Sequence, residues 1–241
     1  MAKKIKEYKV PSRKQPIYSI FKIFLRPFFR KPKIINLAGK ISDKAIVVAN
    51  HSAKSGPPAL DMYYPKFNVK WGAHEMFGNY KMRRAYLRDV LYIKKCKMSA
   101  RRASFMSTIL AIFNPPVYKG MEMLPTYPDA RLAKTIKDSI KVLDSNASIM
   151  IFPENSNDGY KEVLTEFFPG FVILAEKYYK LRGEDLPIYP VYYHIKKRVL
   201  IIGKPTYIQE LVKKGMDRNQ IAQYFCDKVN NLFANYIKEK V

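Results

Sequence analysis

An apolar run, Ala45–Ala49, hands Asn50 and His51 to a stretch of small residues and prolines, and a carboxylate, Asp61, stands ten residues beyond the histidine. Histidine is the side chain whose charge changes near neutral pH, so at a strand exit it is a candidate for moving a proton. A second strand-like run, Ser148–Phe152, leads into Pro153 and Glu154, followed by Asn155 and Ser156. In α/β sheets, ligands gather beyond the carboxyl ends of the strands. His51 and Glu154 are therefore expected to share a cleft. A third run ends in His194. A lone histidine after a strand is usually structural. A His and a Glu at two such exits, each followed or preceded by proline, are harder to dismiss.

The elements that must position these residues alternate as strand and helix. Ala45–Ala49, Ser148–Phe152, Ile188–Tyr193 and Val199–Gly203 read as strands. Asp129–Leu143 has helical spacing, with Leu132, Ala133, Ile136, Ile140 and Leu143 on one face. Phe171–Leu181 reads as a helix ending near Gly183, and Asp217 as the cap of a helix with Ile221, Phe225, Val229, Leu232, Phe233 and Tyr236 on one face. The fold class is α/β, a mixed central β-sheet flanked by helices. Upstream, Ser19, Lys22, Arg26 and Arg30 fall on one stripe of residues 17–31, and aromatic and aliphatic residues cover the rest. That pattern is a basic amphipathic helix kinked at Pro27, expected to lie on a membrane surface, with packing on the core as the alternative. Residues 1–44 form a basic arm and membrane-facing segment; residues 45–241 form the α/β domain.

Composition narrows the partners. The chain has 241 residues, 48% of them apolar, and a net charge of +24. Residues 1–44 carry 13 Lys/Arg against 2 Asp/Glu, and residues 80–119 carry 10 against 1. A basic surface of this size suits a polyanion: an anionic membrane, phosphorylated substrates or nucleic acid. No nucleic-acid-binding module is recognisable, so nucleic acid is the rival reading. No apolar run reaches the roughly 18 residues of a spanning helix, and no signal peptide is evident. Cys96 and Cys226 lack metal-type spacing and read as reduced thiols, and no metal is expected.

Taken in order, the blocks resemble those of the lysophosphatidic acid acyltransferases, the PlsC-like glycerolipid acyltransferases. Asn50-His51 matches the first block, Phe152-Pro153-Glu154 the third and Leu186–Val191 the last. Phe167–Tyr178 is similar to the Gly-then-apolar helix between the last two. The resemblance runs from about residue 45 to 205. It implies a glycerolipid acyltransferase-like fold and transfer of a fatty acyl group to a lysophospholipid or glycerol-phosphate hydroxyl. The donor would be acyl-CoA or acyl carrier protein, with no further cofactor, and the protein would sit peripherally on the cytoplasmic face of the cell membrane. His51 would be the general base, with Asp61 on its other ring nitrogen. Asn50, Glu154, Asn155, Ser156, Lys54, Lys119 and Arg131 would bind substrate.

The sequence departs from the family in four places. The family leaves four residues between His and Asp; here there are nine, and Gly56 holds the expected position. Pro58 would start a helix that brings Asp61 back to His51. Asn155-Ser156-Asn157 replaces Gly-Thr-Arg, removing a phosphate-binding Arg that Lys54 would replace. Lys119 and Arg131 are the only cations where the second block falls, and residues 80–117 become a basic insertion, partly apolar and a candidate second membrane-facing element. These departures keep two further readings open: a non-catalytic membrane-associated member of the fold, and thioester hydrolysis.

Overall fold

Seven strands make one mixed sheet in the computed structural model, which describes residues 8–11, 15–27, 29–52 and 55–238. They are β1 (Lys33–Asn36), β2 (Ile46–Ala49), β3 (Asn68–Ala73), β4 (Met123–Thr126), β5 (Ser148–Ile151), β6 (Ile188–His194) and β7 (Val199–Ile202). Their order is β1-β7-β6-β2-β5-β3-β4, and β6–β7 is the antiparallel pair. The helices are α1 (Pro16–Leu25), α2 (Gly56–Tyr63), α3 (Tyr80–Ala85), α4 (Ala100–Gly120), α5 (Leu132–Asp144), α6 (Gly170–Arg182), α7 (Ile208–Lys213) and α8 (Arg218–Phe233).

Central strands of a parallel sheet are buried on both faces, and the continuous apolar runs of β2 and β5 follow from that. Pro125 cannot donate to a ladder, and β4 is an edge strand. On one face Val47, Ala49 and Met150 pack with Ala59 and Leu60 of α2. On the other, Ile46, Val48, Ile149 and Ile151 pack under α5, α6 and α8. Asp217 caps α8 in a reciprocal capping box with Gln220, and α6 stops at Gly183, whose φ of +70° suits glycine.

The β2-to-β3 connection leaves to one side of the sheet through α2, and the β5-to-β6 connection leaves to the other through α6. Adjacent strands whose connections diverge to opposite faces open a crevice at their carboxyl ends. Here those strands are β2 and β5, the two that deliver His51 and Glu154.

Two expectations about helices change. The N-terminal helix ends at Leu25, ahead of Pro27, rather than continuing through a kink. Of its polar stripe, Lys22 reaches into the domain beside buried Tyr18, while the apolar Ile20, Ile23 and Phe24 are 59%, 58% and 69% exposed. The stretch from residue 80 to 117 is a helical unit. It consists of α3, π-type turns at Tyr86–Lys95 and α4, around Met76, Leu87, Tyr92, Ala103 and Ala111. Among the described residues, no helix is long and apolar enough to cross a membrane.

Candidate active site

Glu154 leaves β5 and is nearly buried. One of its carboxylate oxygens, Oε2, accepts a hydrogen bond from the His51 backbone N–H at 2.9 Å. The two strand exits expected to share a cleft are thus joined directly. Burial pushes the Glu154 carboxyl above its usual range, against the His51 and Lys161 backbone N–H groups and the charge of Lys95, which favour the ionised form. The His51 ring lies between two aromatic rings: Tyr160 stacks on it at 4.8 Å between centroids, and Phe152 meets it edge-on at 5.3 Å.

The turn after His51 is built by close backbone approach. Ser52 adopts a φ of +43°, which is strained for a residue with a side chain. The Gly56 N–H then donates to the His51 carbonyl at 3.1 Å. A Cβ on Gly56 would stand 2.2 Å from that oxygen, so the position admits only glycine without a shift. The chain does return to His51, at Gly56 and not at Asp61.

Asp61 instead serves an ion-pair cluster. Oδ1 takes the Lys70 ammonium at 2.6 Å; Oδ2 takes Lys22 at 2.7 Å and the Tyr18 hydroxyl at 3.1 Å. The reason is directional. α2 starts beside His51 and runs back along the sheet as a crossover helix, so a residue five positions in is carried about 7.5 Å along its axis. Lys70 lies inside β3 and is fully buried; its charge needs a buried carboxylate. Burial pushes the Asp61 carboxyl up, but the Lys70 and Lys22 charges and hydrogen bonds outweigh it and hold it below the usual range. Burial lowers the Lys70 ammonium's pKa, and Asp61 opposes that.

The other expected ligands separate. Asn50 is a structural clamp: its amide donates to the Tyr193 carbonyl at 3.0 Å and accepts from the Tyr193 N–H at 2.7 Å, fastening β2 to β6. Asn155 is tied to Glu166 by its amide and its backbone N–H, and buried Ser156 offers its carbonyl to Gly159. Both shape the loop that carries Tyr160. Lys119 lies in the last turn of α4, ahead of β4 and so at the amino-terminal end of the parallel strands, whereas His51 follows the carboxyl end of β2. Arg131 follows β4 three strands away, about 14 Å across, and is exposed, paired with Asp129 and stacked on Tyr127. Lys54 lies outside the described residues. His194 is structural: its Nδ1 accepts from the Lys197 N–H, and its ring stacks on Phe233.

Sequence reasoning missed a cation that, among the described residues, does reach the site. Lys95 comes from the helical insertion and lies 5.8 Å from the Tyr160 ring centroid. Burial lowers its pKa, while Glu154 and, more weakly, Glu75 favour its charge. A hydrogen bond from Cys96 N–H back five residues to Leu91 O, characteristic of wide π-type turns, closes the helix that presents it. The concentration of cations between residues 80 and 119 was the available signal. Among the described residues, no cluster of three or more His, Cys, Asp or Glu side chains is arranged to hold a metal ion.

A comparison with protein-family models finds no match, and a comparison with curated proteins finds none either. The chemistry of the site therefore rests on its own geometry.

Proposed function

We propose that this protein is a membrane-associated acyltransferase that moves a fatty acyl group from the thioester of acyl-CoA or acyl carrier protein to a hydroxyl of a lysophospholipid or glycerol phosphate. The observation that carries the reading is the hydrogen bond from the His51 backbone N–H to the Glu154 carboxylate, which joins the carboxyl ends of β2 and β5. The resemblance of the surrounding blocks to glycerolipid acyltransferases adds to it, and implies the matching fold.

In this mechanism the His51 imidazole takes the proton of the acceptor hydroxyl as its oxygen attacks the thioester carbonyl. A carbon–oxygen bond forms, the carbon–sulfur bond breaks, and the imidazolium returns the proton to the departing thiolate. Glu154 holds the His51 backbone and so fixes the turn that aims the ring. Tyr160 and Phe152 hold the plane of the ring by stacking on it and meeting it edge-on. Lys95 is the cation available to an acceptor or donor phosphate, in place of the arginine missing from the third block. The exposed Ile20, Ile23 and Phe24 of α1, together with the net charge, favour an anionic membrane as the working surface.

The diversion of Asp61 favours one alternative, a non-catalytic protein of the same fold. Purified protein incubated with labelled acyl-CoA and acyl carrier protein thioesters and a panel of lysophospholipids, read by lipid mass spectrometry, separates the two. Diacylated product is expected. Free fatty acid alone would make the protein a hydrolase, and unchanged substrates across the panel would favour the non-catalytic reading.

A further inference from the structure

Helix α4 packs Met106 and Leu110 inward and still leaves four large apolar side chains on the outside. Phe105, Ile109, Ile112 and Phe113 are 66%, 38%, 58% and 62% exposed, and their spacing of four, three and one puts them on one face. The inward face carries the small residues Ala103, Ser107 and Ala111, fully buried where α4 packs on the Tyr86–Lys95 turns. A helix serving only to cover a core keeps its outward face polar. Contiguous exposed apolar surface of this kind marks a contact surface.

Cations border the stripe. Arg101 and Arg102 are exposed in the first turn of α4. Beside α4 runs an open groove of about 500 Å³ lined by Tyr80, Lys81, Arg84, Ala85, Arg88 and Thr108. Lys81, Arg84 and Arg88 are three and four residues apart, so they share one face. The Arg84 guanidinium is held by Thr108 at 2.9 Å and Ser104 at 3.0 Å, which fixes a positive charge along the groove wall. Thr108 lies next to Phe105 and Ile112 around the α4 circumference, so groove and stripe share an edge. Tyr18 of α1 packs against Gly120 at the far end of α4, bringing the exposed Ile20, Ile23 and Phe24 onto a neighbouring element.

We infer that the α4 face is a docking surface for an anionic phospholipid bilayer, with Phe105, Ile109, Ile112 and Phe113 entering the acyl region and Lys81, Arg84, Arg101 and Arg102 meeting headgroup phosphates, while Arg88 is paired with Asp89. Charge complementarity selects this occupant. A second copy would bring four cations against the same four. Nucleic acid would use the cations and leave two isoleucines and two phenylalanines in water. The inference deepens the membrane part of the proposed function and rests on it only there. It also gives the insertion that delivers Lys95 to the site a second role, attaching the catalytic domain at the surface where its acceptor resides.

The test is co-flotation of the full chain with vesicles of phosphatidylcholine alone or mixed with phosphatidylglycerol. The wild-type protein should float with the mixed vesicles, and less so as salt rises from about 0.1 to about 1 M, over which the Debye length falls from about 10 Å to about 3 Å. A variant carrying Phe105→Ser, Ile112→Ser and Phe113→Ser should lose more than about ten-fold in partitioning. A variant carrying Lys81→Gln, Arg101→Gln and Arg102→Gln should lose its preference for phosphatidylglycerol. All these side chains are exposed, and circular dichroism checks that each variant folds. Partitioning by the apolar variant within about two-fold of wild type overturns the inference. So does a concentration-dependent dimer that the apolar variant dissolves while its partitioning is unchanged. A protein that floats but transfers no acyl group leaves the docking surface standing and removes the enzymatic reading.

Discussion

Asp61 is the residue that most separates sequence expectation from structure. Its distance from His51 in the chain was the warning: nine intervening residues where a relay needs a tight turn. What the chain could not reveal was the competitor. Lys70 sits in β3 and is buried, and only the three-dimensional pairing shows that it takes the carboxylate. Asp61→Asn leaves a buried ammonium without its counter-charge, and such a loss costs about 3–5 kcal/mol. The sign of its pH dependence follows from the lowered carboxyl pKa. The stabilisation is present above the unfolded-state value of 3.8 and disappears as pH falls through the lower folded value. Urea unfolding should therefore show a large deficit for Asp61→Asn at neutral pH that shrinks in acid, with the pH profile of any acyl transfer unmoved. A shifted rate profile with wild-type stability would return Asp61 to the relay.

At the scale of elements, β2, β5, α6 and α8 were legible because each is a long apolar run or a periodic face with a cap or glycine stop. The strands β1, β3 and β4 were not. β3 is interrupted by buried Lys70, β4 carries Pro125, and β1 is a four-residue edge strand with exposed ends. On α1 the contact to the domain was not legible for a related reason: Lys22 is drawn inward by Asp61, so a polar residue marks the packed side. The attachment of α1 carries a second titratable group. Gln15, just before α1, donates to the Glu122 carboxylate, whose pKa is raised to about 7, first by burial and further by Asp61, against the charges of Lys70 and Lys119. A raised acid pKa means that the folded state holds a proton the unfolded state has released. Stability from this group is complete below the unfolded-state value of 4.5 and falls as pH rises through about 7. Glu122→Gln keeps an acceptor for Gln15 and removes the titration. Its unfolding midpoint should match wild type near pH 4 and exceed it at pH 8. Parallel pH curves for the two proteins would contradict this.

For the whole molecule, the charge map was readable from composition, and its meaning came from the fold. The basic arm and the basic insertion both turn out to present exposed apolar residues beside cations, on α1 and on α4. The insertion also reaches the crevice through Lys95, so the segment that looked like an appendage contributes to surface and site together. The central claim is that His51 moves the proton in acyl transfer, and the rate of His51→Ala tests it most directly. Diacylated lipid formed per unit time from a thioester donor and a lysophospholipid should fall by about two to four orders of magnitude, the usual contribution of a general base, with the circular dichroism spectrum unchanged. Wild-type turnover by a folded His51→Ala protein would contradict the account.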